Sequence, residues 1–176
     1  MEQHRNSLPH HRQLIGMLAA LCTGCAPDST ENTSETAVPD AAAFADQVVL
    51  SNREYLQQAA YATADVEWGA RLAMQCRACH TLEKNGATLL GPNLHGVFGR
   101  AAASAKGFDY SQALASASLA WTPAALDAWL AVPSQFLPGN RMAFAGIPKA
   151  ADRHALIAYL LRTTDASVVS EPADAP

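Results

Sequence analysis

The chain has 176 residues and a formal net charge of −4 at pH 7, but the charge is divided unevenly along it. Residues 26–64 carry six acids and one base, whereas residues 65–163 carry nine bases and six acids. This length suits one domain of about 100–150 residues with appendages. Neither a basic cluster nor basic residues interleaved with aromatic ones occur, which argues against nucleic acid as a partner.

The N-terminus is typical of a signal peptide. Arg5 and Arg12 precede an apolar stretch at residues 14–21, and small residues follow as far as Cys25. The stretch is shorter than the roughly 20 apolar residues of a transmembrane helix. We therefore predict a signal peptide over residues 1–24 and export to the periplasm.

The end of this signal resembles the lipobox of bacterial lipoproteins, in which the signal is cut before a cysteine that becomes lipid-modified. The corresponding residues are Cys22-Thr23-Gly24-Cys25. Leucine usually stands where Cys22 does, so release as a soluble periplasmic protein remains the alternative to lipidation of Cys25. With lipidation, the protein is a membrane-anchored lipoprotein.

Residues 25–64 are predicted to form the lipid anchor and a flexible acidic tether. Residues 26–43 are rich in Ser, Thr, Asp, Glu, Pro and Ala, a composition that buries too little apolar surface to fold. Nearer the core, Tyr55, Leu56, Ala59 and Tyr61 recur at helical spacing. A short helix at residues 53–63 is therefore possible within the tether.

The remaining sequence predicts an all-α domain over residues 65–163. Asp65 can cap a helix that runs into Cys76, and Thr122 followed by Pro123 is a strong start signal for another. Residues 111–118 and 152–162 also have helical patterns, and residues 86–107 form a glycine-rich loop. No segment alternates as a strand does. Residues 164–176 are small and acidic, which predicts a disordered tail.

The chemistry of the chain centres on a C-x-x-C-H motif at residues 76–80. Two thiols three positions apart can each bond a vinyl group of a porphyrin, and the adjacent His80 can then bind the iron. A thioredoxin-like dithiol or a zinc knuckle shares the C-x-x-C spacing, so both remain alternatives. The histidine favours covalent attachment of haem c through Cys76 and Cys79.

Three further motifs follow in order, and with the first they resemble class I cytochrome c, the mitochondrial and bacterial periplasmic type. The motifs are Cys76–Thr81, Gly91–Arg100, Leu137–Phe144 and Leu156–Leu160. The resemblance covers residues 65–163. It implies the class I cytochrome c fold, with short helices and long loops around one covalent haem, and a protein that is not an enzyme.

By position, the resemblance makes His80 and Met142 the two iron ligands and gives the Pro92 carbonyl the Nδ1 hydrogen of His80. A thioether is a soft ligand that favours ferrous iron, so this pair raises the reduction potential. Both axial positions are then filled.

The other cofactor contacts implied by the resemblance are aromatic or polar. Tyr110 and Trp121 match positions that contact a haem propionate, with Arg100 nearby to offset its charge. Trp129 stands where the family often has tyrosine near the methionine sulfur. Asn140 is expected to donate a hydrogen bond to that sulfur instead.

These features predict a single-haem carrier that shuttles one electron between redox proteins at the periplasmic face of a membrane. A respiratory complex, an oxidase or a dehydrogenase is the expected partner, and no small-molecule substrate is expected. The first alternative is a haem peroxidase-like enzyme or the cytochrome module of an oxidoreductase complex. The second is a zinc-binding module built on Cys76, Cys79 and a histidine pair.

Overall fold

The computed structural model describes residues 39–165, and all structural statements below concern that part of the chain. One 3₁₀ turn and seven helices follow in order: the turn Ala41–Phe44, α1 (Asn52–Leu56), α2 (Ala59–Ala62), α3 (Val66–Arg77), α4 (Gln112–Ala115), α5 (Pro123–Ala131), α6 (Pro133–Phe136) and α7 (Ala150–Thr163). An isolated bridge between Ala101 and Ala120 is the one strand-like pairing in this part. The predicted all-α class is confirmed.

The longest helices, α3 and α7, cross at Gly69. A Cβ at this position would lie 2.0 Å from the carbonyl oxygen of Ala155, so glycine lets the two backbones touch. As predicted, α3 starts at a cap in which the Asp65 side chain accepts a hydrogen bond from the Trp68 N–H at 2.9 Å. The crossing places the end of α3, which carries Cys76, beside the buried face of α7.

The second packing layer is α5. Its Thr122 cap accepts from the Ala125 N–H at 3.1 Å, and Pro123 occupies the first turn, as the sequence predicts. α6 follows after a single residue and was not anticipated. Its Phe136 is fully buried and meets the Trp129 ring edge-on at 5.8 Å.

The structure of residues 40–62, which we call the N-terminal strap, differs from a flexible tether through residue 64, and in place of the one short helix considered at residues 53–63 it has two, α1 and α2. The 3₁₀ turn, α1 and α2 all lie in the strap, and α1 and α2 pack against α7. The strap buries Phe44, Tyr55 and Tyr61. Aromatic rings bury large apolar areas, so these three rings help to order the strap on the core despite its acidic residues.

The strap contacts α5 first and then α7, near the end of α7 through Asn52 and near its start through Tyr61. The Gln47 and Thr122 side chains are hydrogen-bonded, the Asn52 amide donates to the Leu161 carbonyl at 2.8 Å, and the Tyr61 ring meets His154 edge-on. Because these partners lie on different elements, the strap ties α5 and α7 together.

The predicted boundary between the helical domain and the C-terminal tail, after residue 163, needs a small correction. Thr164, the first residue of the predicted tail, is fully buried, and its carbonyl accepts a hydrogen bond from the Gly96 N–H at 2.6 Å. The predicted signal peptide, Cys25 and residues 166–176 lie outside the described residues. Among residues 39–165, no helix has the length and hydrophobicity to cross a membrane.

Candidate haem site

The two cysteines lie at the C-terminal end of α3. Cys76 is in its last turn, and the N–H groups of Cys79 and His80 both donate to the Cys76 carbonyl, at 3.0 and 2.9 Å. Neither forms a disulfide. Burial raises the pKa of Cys76 to about 11.

His80 is held by the loop that follows the motif. Its Nδ1 lies 2.7 Å from the carbonyl oxygen of Pro92, the partner that the sequence predicts, and the Gly91 N–H donates to the Cys79 carbonyl at 2.8 Å. A Cβ at Gly91 would lie 2.3 Å from Cε1 of His80, so this residue must be glycine for the loop to approach the ring.

This geometry suits an iron ligand. Because a carbonyl only accepts, Nδ1 carries the hydrogen and Nε2 keeps its lone pair. Burial lowers the pKa of His80, partly offset by the bond to Pro92, so the ring tends to remain neutral. A neutral imidazole fixed by a backbone carbonyl is a good donor to haem iron.

Met142 lies on an irregular segment between α6 and α7, half-buried against the apolar core that Cys76 also contacts. The neighbouring Asn140 side chain fixes it. The Oδ1 of Asn140 accepts the Met142 N–H at 2.9 Å, while Nδ2 donates to the carbonyls of Pro133 and Leu137, each at 2.9 Å. This arrangement holds the thioether-bearing residue against the end of α6.

The expected bond from Asn140 to the sulfur is therefore wrong. An amide group has two hydrogens, and both are taken by backbone carbonyls. Each carbonyl has two lone pairs, so the Asn140 amide adds a second bond to the Pro133 carbonyl, which also accepts the Leu137 N–H, and to the Leu137 carbonyl, which also accepts the Asn140 N–H. The residue positions Met142 through its backbone instead.

Arg100 and Tyr110 both bond to loop backbone. The Arg100 guanidinium donates to the carbonyls of Asn93 at 3.0 Å and His95 at 3.3 Å, and the Tyr110 hydroxyl accepts from the Ala105 N–H at 3.3 Å. Burial lowers the pKa of Arg100, and the nearby Tyr110 acts in the opposite direction. Their contact with a propionate stays a prediction, as does that of Trp121.

The two predicted tryptophans meet in the core. Trp121 and Trp129 are buried edge-on with ring centroids 5.5 Å apart, and Trp129 makes the contact with Phe136 described above. Phe136 had not been singled out from the sequence. The proline at the start of α6, followed by an aromatic residue three positions later, was the available signal.

An ion pair that sequence reasoning missed holds the far end of the Met142 segment. Arg153 on α7 binds Asp127 on α5 through Nε at 2.9 Å and Nη2 at 3.1 Å. Its Nη1 donates to the carbonyls of Ile147 and Pro148 at 3.0 and 2.8 Å. The sequence contains no signal for this pair, because the two residues lie on separate helices and no local pattern predicts which charges of different helices will meet.

Comparison with known proteins gives a consistent picture for the region that contains this site. No family model matches the chain. It is 41% identical over 104 residues to "Cytochrome c" of Gibberella zeae, covering 98% of that protein and 58% of this chain. It is 48% identical over 99 residues to "Cytochrome c homolog" of Bradyrhizobium diazoefficiens, covering 54% of that protein and 56% of this chain.

A second bacterial relative is "Cytochrome c-type cyt cy" of Rhodobacter capsulatus, 47% identical over 85 residues, which cover 42% of that protein and 48% of this chain. The match thus spans about half the length of the two bacterial relatives and nearly all of the fungal one. With its cysteine pair and its carbonyl-bound histidine, the chain belongs to the cytochrome c family and binds one haem c covalently through Cys76 and Cys79.

Proposed function

We propose that this protein shuttles one electron at a time between redox proteins at the periplasmic face of a membrane. Its family makes it a single-haem electron carrier and not an enzyme. The bound haem supplies the one-electron iron couple. Two observations support the proposal: the Nδ1 of His80 is fixed by the Pro92 carbonyl, which leaves Nε2 as the donor, and the Met142 backbone is fixed by Asn140.

His80 and Met142 have different roles in an electron carrier. The Pro92 carbonyl holds His80 in one tautomer and one orientation, which limits rearrangement when the charge on the iron changes. Met142 supplies a soft donor that favours the reduced state. Together they would occupy both axial positions, which leaves no vacancy for peroxide and favours a carrier over the peroxidase-like alternative.

Replacing Met142 tests this assignment. Met142→Ala should lower the reduction potential by a substantial part of the roughly 0.8 V range that axial ligands span. It should also abolish the weak red absorption band of sulfur ligation. Redox titration and a ferric spectrum of the holoprotein measure both. Met74→Ala is the matched control, because Met74 is 65% exposed and should change neither. An unchanged potential in Met142→Ala, with peroxide turnover by the wild type, would favour the enzyme.

The proposed location rests on residues 1–25. Export by the signal peptide and acylation of Cys25 would place the haem domain at the periplasmic face of a membrane. Mass spectrometry of membrane-fraction protein should show the haem and acyl additions together. Cys25→Ala should shift the protein out of that fraction. Retention of Cys25→Ala in the membrane would exclude this anchor and leave export alone.

Redox partners are expected to dock with little electrostatic steering. The exposed side chains closest in sequence to the cysteine motif and its loop include apolar ones, with Met74 65%, Leu89 48% and Leu90 83% exposed. Long-range attraction needs clustered charge, and the sequence offers little of it here: Gln75 precedes Cys76, and Arg141 is the one base among residues 134–142. Instead of electrostatic attraction, a membrane tether would raise the local concentration of the protein near its partners. A steep fall of the association rate with ionic strength would contradict this.

A further inference from the structure

The first turn of the N-terminal strap covers a residue of α6. Phe44 is 8% exposed, and its ring centroid lies 5.5 Å from that of Phe136, at an interplanar angle of 40°. Phe136 in turn packs edge-on against Trp129. One side of the fully buried Phe136 is therefore closed by the strap and another by α5.

Helix α6 depends on this packing for its position. It has four residues, Pro133–Phe136, which is far below the length at which an isolated helix is stable. Its backbone bonds reach only from Val132 to Leu137. Burial of Phe136 is thus the main force that fixes α6 on the core.

Helix α6 in turn fixes Met142. The Asn140 side chain donates to the carbonyls of Pro133 and Leu137 and accepts the Met142 N–H. A displacement of α6 would move these carbonyls and, through a single side chain, the Met142 backbone. The contacts therefore run without a gap from Phe44 to Phe136, Asn140 and Met142.

A second strap contact reinforces the first. The Gln47 side chain is hydrogen-bonded to the hydroxyl of Thr122, which is 2% exposed and caps α5. α5 contributes Trp129, the other wall of the Phe136 site. The strap accordingly contacts α6 through Phe44 and α5 through Gln47.

We propose that the strap positions the methionine ligand and that Phe44 is its principal positioning residue. With Phe44 in place, α6 holds Met142 where its sulfur can remain on the iron; without it, Met142 dissociates more often. The inference rests on the proposed role of Met142 as a ligand. It extends the functional unit of this chain to residues upstream of position 65, where the sequence resemblance ends.

Imidazole binding to the ferric holoprotein measures how often the sixth position opens. Phe44→Ala should raise the affinity for imidazole about tenfold and lower the reduction potential. It should also speed amide hydrogen exchange at Phe136, Leu137 and Asn140 about tenfold. Phe44→Leu, which keeps an apolar side chain, should restore most of each value.

Tyr55→Ala is the matched control, because it removes another buried ring of the strap, whose hydroxyl is bonded to the Leu50 N–H and the Val48 carbonyl and not to the Met142 segment. It should destabilise the protein while leaving imidazole affinity and exchange at residues 136–140 within about twofold. Equal effects of Phe44→Ala and Tyr55→Ala on both readouts would overturn the inference, since they would indicate general loosening.

Met142→Ala separates this inference from the proposed function. If Met142→Ala raises the imidazole affinity and Phe44→Ala does not, Met142 is the ligand and the positioning role of the strap is wrong. If Met142→Ala changes nothing, the ligand assignment itself fails. Should Phe44→Ala not accumulate with haem, Phe44→Leu must exceed Tyr55→Leu in imidazole affinity for the inference to stand.

Discussion

His80 is bound from one side by two consecutive residues with different tasks. The Pro92 carbonyl accepts its Nδ1 hydrogen, and Gly91 gives the loop room to approach. The hydrogen bond to Pro92 determines which nitrogen of His80 carries the hydrogen. The absence of a Cβ at Gly91 determines how closely the loop approaches the ring. A polar contact of 2.7 Å therefore depends on the absence of one carbon atom in the neighbouring residue.

Gly91→Ala should be strongly destabilising, because its Cβ would lie 2.3 Å from Cε1 of His80. Either the ring or the loop must shift, which weakens the bond to Pro92. We expect a loss of about 1–3 kcal/mol in the free energy of unfolding of the holoprotein, measured with guanidinium chloride.

The control is Gly107→Ala. Gly107 has a φ of +77° and open space around its Cβ position, so this variant reports left-handed strain alone. That strain costs about 1–2 kcal/mol. A Gly91→Ala variant as stable as the wild type would contradict the close approach of the loop to the His80 ring.

At the scale of the elements, the close packing of α3 against α7 depends on one residue, Gly69. Glycine inside a helix is usually unfavourable by about 1 kcal/mol relative to alanine. At Gly69 this disadvantage is outweighed, because the two helix backbones meet there. The crossing sets where α3 ends and hence where Cys76 lies relative to the core.

Gly69→Ala should therefore destabilise the protein despite its better helix propensity. The added Cβ would lie 2.0 Å from the Ala155 oxygen, and separating the helices should cost at least about 1–3 kcal/mol. Chemical denaturation measures the change. Ala70→Gly, one position along α3, calibrates propensity alone. A stabilised Gly69→Ala would contradict the close crossing.

At the scale of the whole molecule, the strap makes residues 40–62 part of the haem domain. Tyr61 packs against His154 on α7, close to the ion pair of Arg153 and Asp127 that holds the Met142 segment. Burial raises the pKa of Tyr61 to about 12, and Asp127 and Tyr55 act in the same direction. The strap contact is consequently sensitive to high pH.

The sign of this dependence follows from proton binding. The folded state holds the Tyr61 proton more tightly than the unfolded state, in which the pKa is about 10. The stabilisation is complete below about pH 10 and is lost as the pH rises through about 12. Two pKa units correspond to at most about 3 kcal/mol.

Tyr61→Phe should remove this part of the alkaline destabilisation. Between pH 9 and 12, the fall in the free energy of unfolding should be smaller in Tyr61→Phe than in the wild type by about 2 kcal/mol. Denaturant titrations of both proteins at several pH values measure the difference. Parallel curves would show that Tyr61 ionises freely in the folded state.

Features that depend on neighbouring residues could be predicted from the sequence. The caps at Asp65 and Thr122 form as expected, because a cap involves a side chain and a backbone group three residues away. The C-x-x-C-H motif is local in the same sense. The Pro92 bond to His80 came from the family resemblance and not from any pattern of periodicity.

The sequence by itself determined the all-α class and the attachment motif, and the family resemblance added the partner of His80. Only the tertiary structure decided that the strap packs on the core, that Asn140 bonds backbone carbonyls, and that Arg153 pairs with Asp127. The physical reason is the distance along the chain between the residues that interact. Caps and motifs are settled within one or two turns of chain, whereas Phe44 meets Phe136 only after the intervening helices have packed.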